Sequence, residues 1–112
     1  MIYKTFMELY SHHRTTDRSF MDETEERAWN EDCFDTYENI GFCETFYSED
    51  EDMQKYIGMK FEVKRRLDES EVDRESLPMW HITFENGDEC DAFPEEICIY
   101  ERRKLYERNQ IK

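Results

Sequence analysis

Met79-Trp80-His81-Ile82-Thr83-Phe84-Glu85-Asn86-Gly87-Asp88-Glu89-Cys90-Asp91-Ala92-Phe93 is the stretch on which the fold turns. Trp80, Ile82 and Phe84 alternate with His81 and Thr83, the period-two pattern of a strand with one buried face. Asn86-Gly87 tolerates the positive φ angles of a tight hairpin, and residues 89–93 then return as the partner strand. On this reading Trp80 is a core residue, and Trp80→Ala is expected to cost about 3–5 kcal/mol. His81 belongs to the solvent side.

Working outward, Pro94-Glu95-Glu96 suits a single helical turn and Ile97-Cys98-Ile99-Tyr100 a closing strand. Upstream, residues 58–65 alternate again, with Met59, Phe61 and Val63 opposite Lys60, Glu62 and Lys64. A long polar connection over 66–76 ends at Leu77-Pro78. Phe42, Glu44 and Phe46 set against Cys43, Thr45 and Tyr47 predict one more strand with aromatics on both faces. The second half is therefore a set of four or five short antiparallel strands.

The first half changes period. Ile2, Phe6, Leu9 and His13 fall on one helical face over residues 2–13. After a polar turn at 14–17, a second helix is expected from Asp17 or Ser19 to about Asn39. Its apolar stripe is Met21, Ala28, Trp29, Cys33, Tyr37 and Ile40. Gly41 stops it where a left-handed cap is easiest for glycine. The expected class is α+β: a helical segment over 1–40, a small antiparallel β-barrel over 41–100 and a basic tail over 101–112. Together they form one compact domain.

The chain has 112 residues and a formal charge of −14, with 39% charged and 38% hydrophobic residues. That length favours one domain. Aliphatic residues are scarce, but 17 aromatics with only three glycines and two prolines argue for a folded core rather than a disordered chain. The longest apolar runs are three or four residues, too short to span a bilayer. The N-terminus has no signal-peptide stretch, so the cytosol (here of a bacterial host) is the expected compartment.

The charge is concentrated. Residues 22–54 hold 13 acidic residues and one arginine, whereas the stretches 1–21 and 101–112 are mildly basic. Asp22, Glu23, Glu25, Glu26, Glu31, Asp32, Asp35 and Glu38 put eight carboxylates within 19 residues. On a helix that is one charge per roughly 3.6 Å, close to the roughly 3.4 Å per phosphate of one DNA strand. Glu49, Asp50, Glu51 and Asp52 add a second cluster. A solvated face is the plain explanation; a surface shaped to meet a basic partner is the sharper one.

Little points to chemistry. No glycine-rich phosphate loop, nucleophile elbow or HExxH helix is present. Cys33, Cys43, Cys90 and Cys98 have no zinc spacing, and gap-filling thiols are the expectation. Cys90 and Cys98 could face each other on adjacent strands, and Cys90 with His81 is the one nucleophile pair to inspect. His12 and His13 are adjacent and point about 100° apart, so they do not form an i, i+4 ligand pair. A calcium loop counted from Asp50 fails, with Lys55 where glycine and Phe61 where glutamate are needed. No enzyme activity, cofactor or metal is expected.

The order of residues 58–63, 80–84, the Glu85–Gly87 turn and 92–97 resembles a small SH3-like or Tudor-like barrel. That resemblance implies peptide binding, and Trp80, Tyr56 and Phe93 are the residues to inspect for an aromatic cage. In size and acidity, though in no shared motif, the chain resembles phage anti-defence inhibitors of the anti-CRISPR or anti-restriction type. This implies a partner that is a basic nucleic-acid-binding protein, such as a Cas nuclease, with no direct contact to nucleic acid. The expected contact residues are the twelve carboxylates above with Trp29 and Phe34 as anchors, helped by Phe46 and Tyr47. Reversing Glu25, Glu26, Glu31 and Asp32 to lysine is then expected to abolish binding and spare the fold.

Overall fold

The computed structural model describes residues 18–99. The helix expected over 2–13, the turn at 14–17, His12, His13, Tyr100 and the basic tail lie outside them. A 3-10 turn, Arg18–Phe20, leads into helix α1, Glu23–Ile40. Three strands follow: β1 (Phe61–Arg66), β2 (Trp80–Phe84) and β3 (Glu89–Ala92). A one-turn helix α2, Pro94–Ile97, comes last. The architecture is α+β, with the helix ahead of a three-stranded antiparallel sheet in the order β1-β2-β3.

Helix α1 starts later than the residue pattern suggested because its cap lies at Asp22. The Asp22 carboxylate accepts the Glu25 N–H at 2.8 Å, and Glu23, Glu25 and Glu26 fill the first turn, where the helix dipole favours negative charge. Gly41 ends it at φ 104°, its N–H bonded to the Tyr37 carbonyl at 3.0 Å. The buried face is rotated from the expected stripe. Ala28 is exposed, whereas Glu26, Asn30, Cys33, Phe34, Thr36 and Tyr37 point inward. Polar Glu26 and Asn30 are tolerated there because arginines from elsewhere meet them.

The hairpin matches its reading. Trp80 pairs with Ala92, Ile82 with Cys90, and His81 with Asp91, so the two faces separate cleanly. Trp80, Ile82 and Phe84 are buried on the core face. Phe34, Tyr37 and Phe42 meet the Trp80 ring edge-on at 5.3, 6.1 and 5.6 Å between centroids. β1 pairs with β2 through a bulge between Val63 and Arg65. The bulge turns Arg66 back toward α1.

The sheet is open. The segment expected as a strand at 42–47 makes only isolated bridges, Phe42 to Cys98 and Thr45 to Lys60. Of the closing strand expected at 97–100, the described residues 97–99 form only the Cys98 bridge. Both are held by backbone bonds around these isolated bridges rather than by a ladder: Cys43 N–H to the Ile97 carbonyl at 2.7 Å with Ile99 N–H to that of Gly41 at 3.2 Å, and Phe46 N–H to the Met59 carbonyl at 2.9 Å with Gly58 N–H to that of Phe46 at 2.9 Å. The Cys43 Sγ lies within hydrogen-bond reach of the Ile97 carbonyl at 2.9 Å and the Thr45 carbonyl at 3.1 Å.

Candidate functional site

The carboxylates of α1 divide by their partners. Glu26 is 5% exposed and lies between Arg18 and Arg74, at 3.6 and 3.4 Å. Glu23 meets Arg27 and Arg74. Arg66 collects three more: its Nε and Nη2 donate to Glu38, Nη1 to Glu31 at 3.0 Å and Nη2 to Asp35 at 2.9 Å. Trp80 Nε1 donates to the same Glu38 carboxylate at 2.9 Å. The Arg66 guanidinium holds Glu38 below the usual carboxylate range, opposed by partial burial and helped by the indole.

This overturns part of the expected contact surface. Five of the eight helical carboxylates are engaged by arginines, so α1 does not present a bare row of phosphate-like charge. Glu26 faces the interior, and Glu26→Lys would set an ammonium beside two guanidinium groups. Phe34, 4% exposed, is a core residue under Trp80, and Phe46 is wholly buried. Neither can anchor a partner. Trp29 is half-buried and packs on the core. Asp22 caps the helix, and Glu25 and Asp32 are exposed.

A different acidic face lies at the other side of the hairpin. Glu49, Asp50, Glu51 and Asp52 are all exposed. They precede or begin a 3-10 turn, Glu51–Tyr56, which Asp50 caps by accepting the Asp52 N–H at 3.0 Å. This helical turn occupies the stretch that a calcium loop would need. Two of the four, Glu49 and Asp50, are brought together with Asp91, Glu95 and Glu96 around a cavity of about 350 Å³. Tyr47, Met53, Cys90 and Phe93 supply its apolar lining.

Two bonds fix the cavity's walls. The Tyr47 N–H donates to the Glu96 carbonyl at 3.2 Å, tying the loop to α2. The Phe93 N–H donates to the Glu96 carboxylate at 2.9 Å, the reach-back half of a capping box. Glu96 is 9% exposed, and burial raises its carboxyl above the usual range against the pull of Ser48 and of the Phe93 amide. Phe93, at the mouth, is 41% exposed. Of the residues named for an aromatic cage, only Phe93 lines this cavity. Trp80 is in the core, and Tyr56 stacks on Phe84 at 4.2 Å with its hydroxyl on Asp88.

Sequence reasoning found Glu49 and Asp50 but missed Glu96, Glu95 and Asp91. A glutamate three residues after Phe93, beside Pro94, was the available signal for a reach-back cap.

The candidate nucleophiles separate. His81 shares its face with Asp91, and Cys90 shares the opposite face with Ile82, so Cys90 and His81 do not form a pair. His81 bonds Asp91 at 2.8 Å and Glu89 at 3.0 Å, which raise its pKa. All four cysteines are free thiols, and burial pushes Cys33 and Cys90 up to about 12 and Cys98 well above the ordinary thiol value. Protonated thiols of this kind are poor nucleophiles. Cys98 bridges to Phe42, not to Cys90. Among the described residues, no cluster of three or more His, Cys, Asp or Glu side chains is arranged to hold a metal, and no helix is long and apolar enough to cross a membrane.

No protein-family model, curated protein or solved structure matches this chain.

Proposed function

We propose that this chain is a small non-enzymatic inhibitor that binds a basic, nucleic-acid-binding protein of a bacterial defence system, such as a CRISPR-Cas effector nuclease, and covers its DNA or RNA site. It acts in the host cytosol. One observation carries this reading: the asymmetry of charge compensation. Over residues 18–99 there are 25 carboxylates and eight lysines or arginines. Four of the five arginines there, Arg18, Arg27, Arg66 and Arg74, form ion pairs with carboxylates of α1. The charge of α1 is thereby partly compensated, and the four carboxylates of the 49–52 loop are all exposed. An exposed field of this kind steers a cationic surface to it and weakens with salt.

The test is displacement. The chain is immobilised, its partner captured from a phage-resistant bacterial lysate, and the captured protein's hold on labelled DNA measured as the chain is added in excess. Release of DNA is the expected result. Glu49→Lys/Glu51→Lys/Asp52→Lys should abolish release, and Glu25→Lys/Asp32→Lys should weaken it less. Undiminished DNA binding with the chain attached overturns the reading.

A second reading is a module with the SH3-like barrel architecture that takes a peptide. The bridges from Phe42 to Cys98 and from Thr45 to Lys60 favour it, because they tie the segment ahead of β1 to the residue that follows α2 and to the residue that precedes β1. Capture of a partner without DNA release is its signature.

A further inference from the structure

We propose that residues 68–76 form a lid over the first half of α1, opening as one unit on a fixed neck while helix and sheet stay folded. Its position sets how much of the helix charge is presented. The neck is tight. The Leu67 N–H donates to the Met79 carbonyl at 3.0 Å, and Leu67, Leu77 and Met79 are all buried. Between them no residue of 68–76 is buried, and Val72, half-buried against the core, is the segment's one apolar side chain. The backbone bonds of the segment are its own: Glu71 and Val72 donate to the Asp68 carbonyl, and Ser76 donates to that of Asp73. Among the described residues, no backbone–backbone bond joins 68–76 to α1 or to the sheet. A loop with close ends and internal bonds of this kind moves without unravelling.

The hold of this segment on α1 is polar. Glu23, Glu26, Arg27 and Asn30, spaced three and four apart, make one stripe of the helix, and each of them meets the lid. Arg74 lies 3.7 Å from Glu23 and 3.4 Å from Glu26. Arg27 Nε donates to Glu69 at 3.0 Å, and Asn30 Nδ2 donates to the Arg74 carbonyl at 3.2 Å. Ahead of the helix, Arg18 donates to the carbonyls of Arg74, Glu75 and Leu77 at 2.9, 3.0 and 3.1 Å. From β1, Arg65 pairs with Glu71 at 2.6 Å. Arg27 and Arg65 are exposed and Arg74 is half-buried, so water and salt compete for these pairs. Opening uncovers little apolar surface and returns Glu26 and Asn30, each 5% exposed, to water, which offsets part of the lost bonding. A segment held this way opens at a lower free energy than the whole fold. Once it is open, Arg74 leaves Glu23 and Glu26, and both carboxylates face solvent without it.

Native-state proteolysis of the full chain is the test. Trypsin is added over a series of urea concentrations below the unfolding transition. Mass spectrometry follows the cut after Arg74, inside the lid, and the cut after Lys64, within β1, each rate taken relative to an unstructured peptide of the same local sequence. The Arg74 rate should be nearly independent of urea, because lid opening exposes little surface, whereas the Lys64 rate should rise steeply. Raising NaCl from 0.05 to 0.5 M should speed the Arg74 cut about two- to fivefold, and Glu69→Gln, which removes the partner of Arg27 at an exposed site, about twofold. Ile82→Val, a change in the core under β2, should speed the Lys64 cut severalfold and leave the Arg74 cut as it was. A common urea slope at the two sites overturns the lid, as does an Arg74 rate that follows Ile82→Val. So does an Arg74 rate indifferent to both salt and Glu69→Gln, or no cut after Arg74 once the Lys64 bond is digested. The DNA-displacement result bears on a different surface and is untouched by any of these.

Discussion

Arg66 is the residue whose loss the structure makes most informative, and Arg66→Met is the perturbation. The guanidinium makes two bonds to Glu38 and one each to Glu31 and Asp35, and lies over Phe34. Glu31 and Asp35 are each 66% exposed, so solvent and salt leave those pairs about 0.5 kcal/mol apiece at most. Glu38 is 31% exposed and also accepts from Trp80; its charge-assisted pair with Arg66 contributes about 1.5–2 kcal/mol. The contact with Phe34 adds about 0.5–1 kcal/mol. Methionine preserves much of the stem's packing. The total loss is then about 3 kcal/mol, with mutual repulsion among three carboxylates included. Against a typical stability of about 5–15 kcal/mol this is a large fraction.

Urea unfolding followed by tryptophan fluorescence reads it directly, since Trp80 sits on Glu38. With a slope of about 1–3 kcal/mol/M, the midpoint should fall by about 1–3 M with the slope unchanged. A double-mutant cycle with Glu38→Gln should return a coupling of at least about 1 kcal/mol. The pH dependence has a fixed sign. Glu38 titrates below its unfolded value near 4.5, so its contribution is present above that pH and lost as pH falls through the lower folded value. A loss under about 0.5 kcal/mol in 0.15 M salt, or no coupling to Glu38, refutes the reasoning. The helix charges would then be solvated and open to a partner.

Other predictions follow from the same contacts. Arg18→Met removes donors to the carbonyls of Glu75, Leu77 and Arg74 and to Asn30, and strips Glu26 of one cation; a cost of about 3–5 kcal/mol is expected by chemical denaturation. Glu96→Gln should stabilise the fold at pH 7, because a carboxyl whose folded value is raised contributes fully below about pH 4.5 and loses that contribution as pH rises through the folded value. The gain should vanish towards pH 4, and a pH-independent difference would contradict the assignment. His81 should titrate above 6.5 by NMR. Its ion pairs then stabilise most below 6.5 and fade as pH rises through the folded value, so His81→Gln should cost more at pH 6 than at pH 9.

The hairpin was the part most legible in the residues. Asn86-Gly87 fixes a tight turn, and the alternation on each side fixes which faces are buried; β2 and β3 follow. The helix was legible in extent, not in rotation. Glu26 and Asn30 read as solvent residues because burying them alone would be unfavourable, and the arginines that make it tolerable come from residue 18 and residue 74. Both lie outside the helix, 8 and 12 positions away for Arg18 and 44 or more for Arg74, so the helix's own periodicity carries no sign of them. The same reason hid the pairing of Arg66 with three helical acids. Segment 42–47 alternates like a strand, yet it meets two different neighbours at one isolated bridge each, so the pattern holds without a continuous ladder.

Charge density along a chain is therefore a poor guide to charge presented by a surface. The 22–38 stretch has the denser helical sequence, but the fold brings arginines to it, and each pair confines the field to a few ångströms. The 49–52 cluster has fewer carboxylates. Two of them, Glu49 and Asp50, line a cavity with Asp91, Glu95 and Glu96. Folding thus pairs much of the helix charge with arginine and leaves the four side chains of 49–52 exposed. A partner selected by that field would lose affinity on neutralising residues 49–52 and would gain it when Arg66 is removed, since Glu31, Asp35 and Glu38 are then released. That opposite sign, measured in one binding series corrected for stability, separates a recognition surface from charge that serves solubility alone, for which neither substitution would matter.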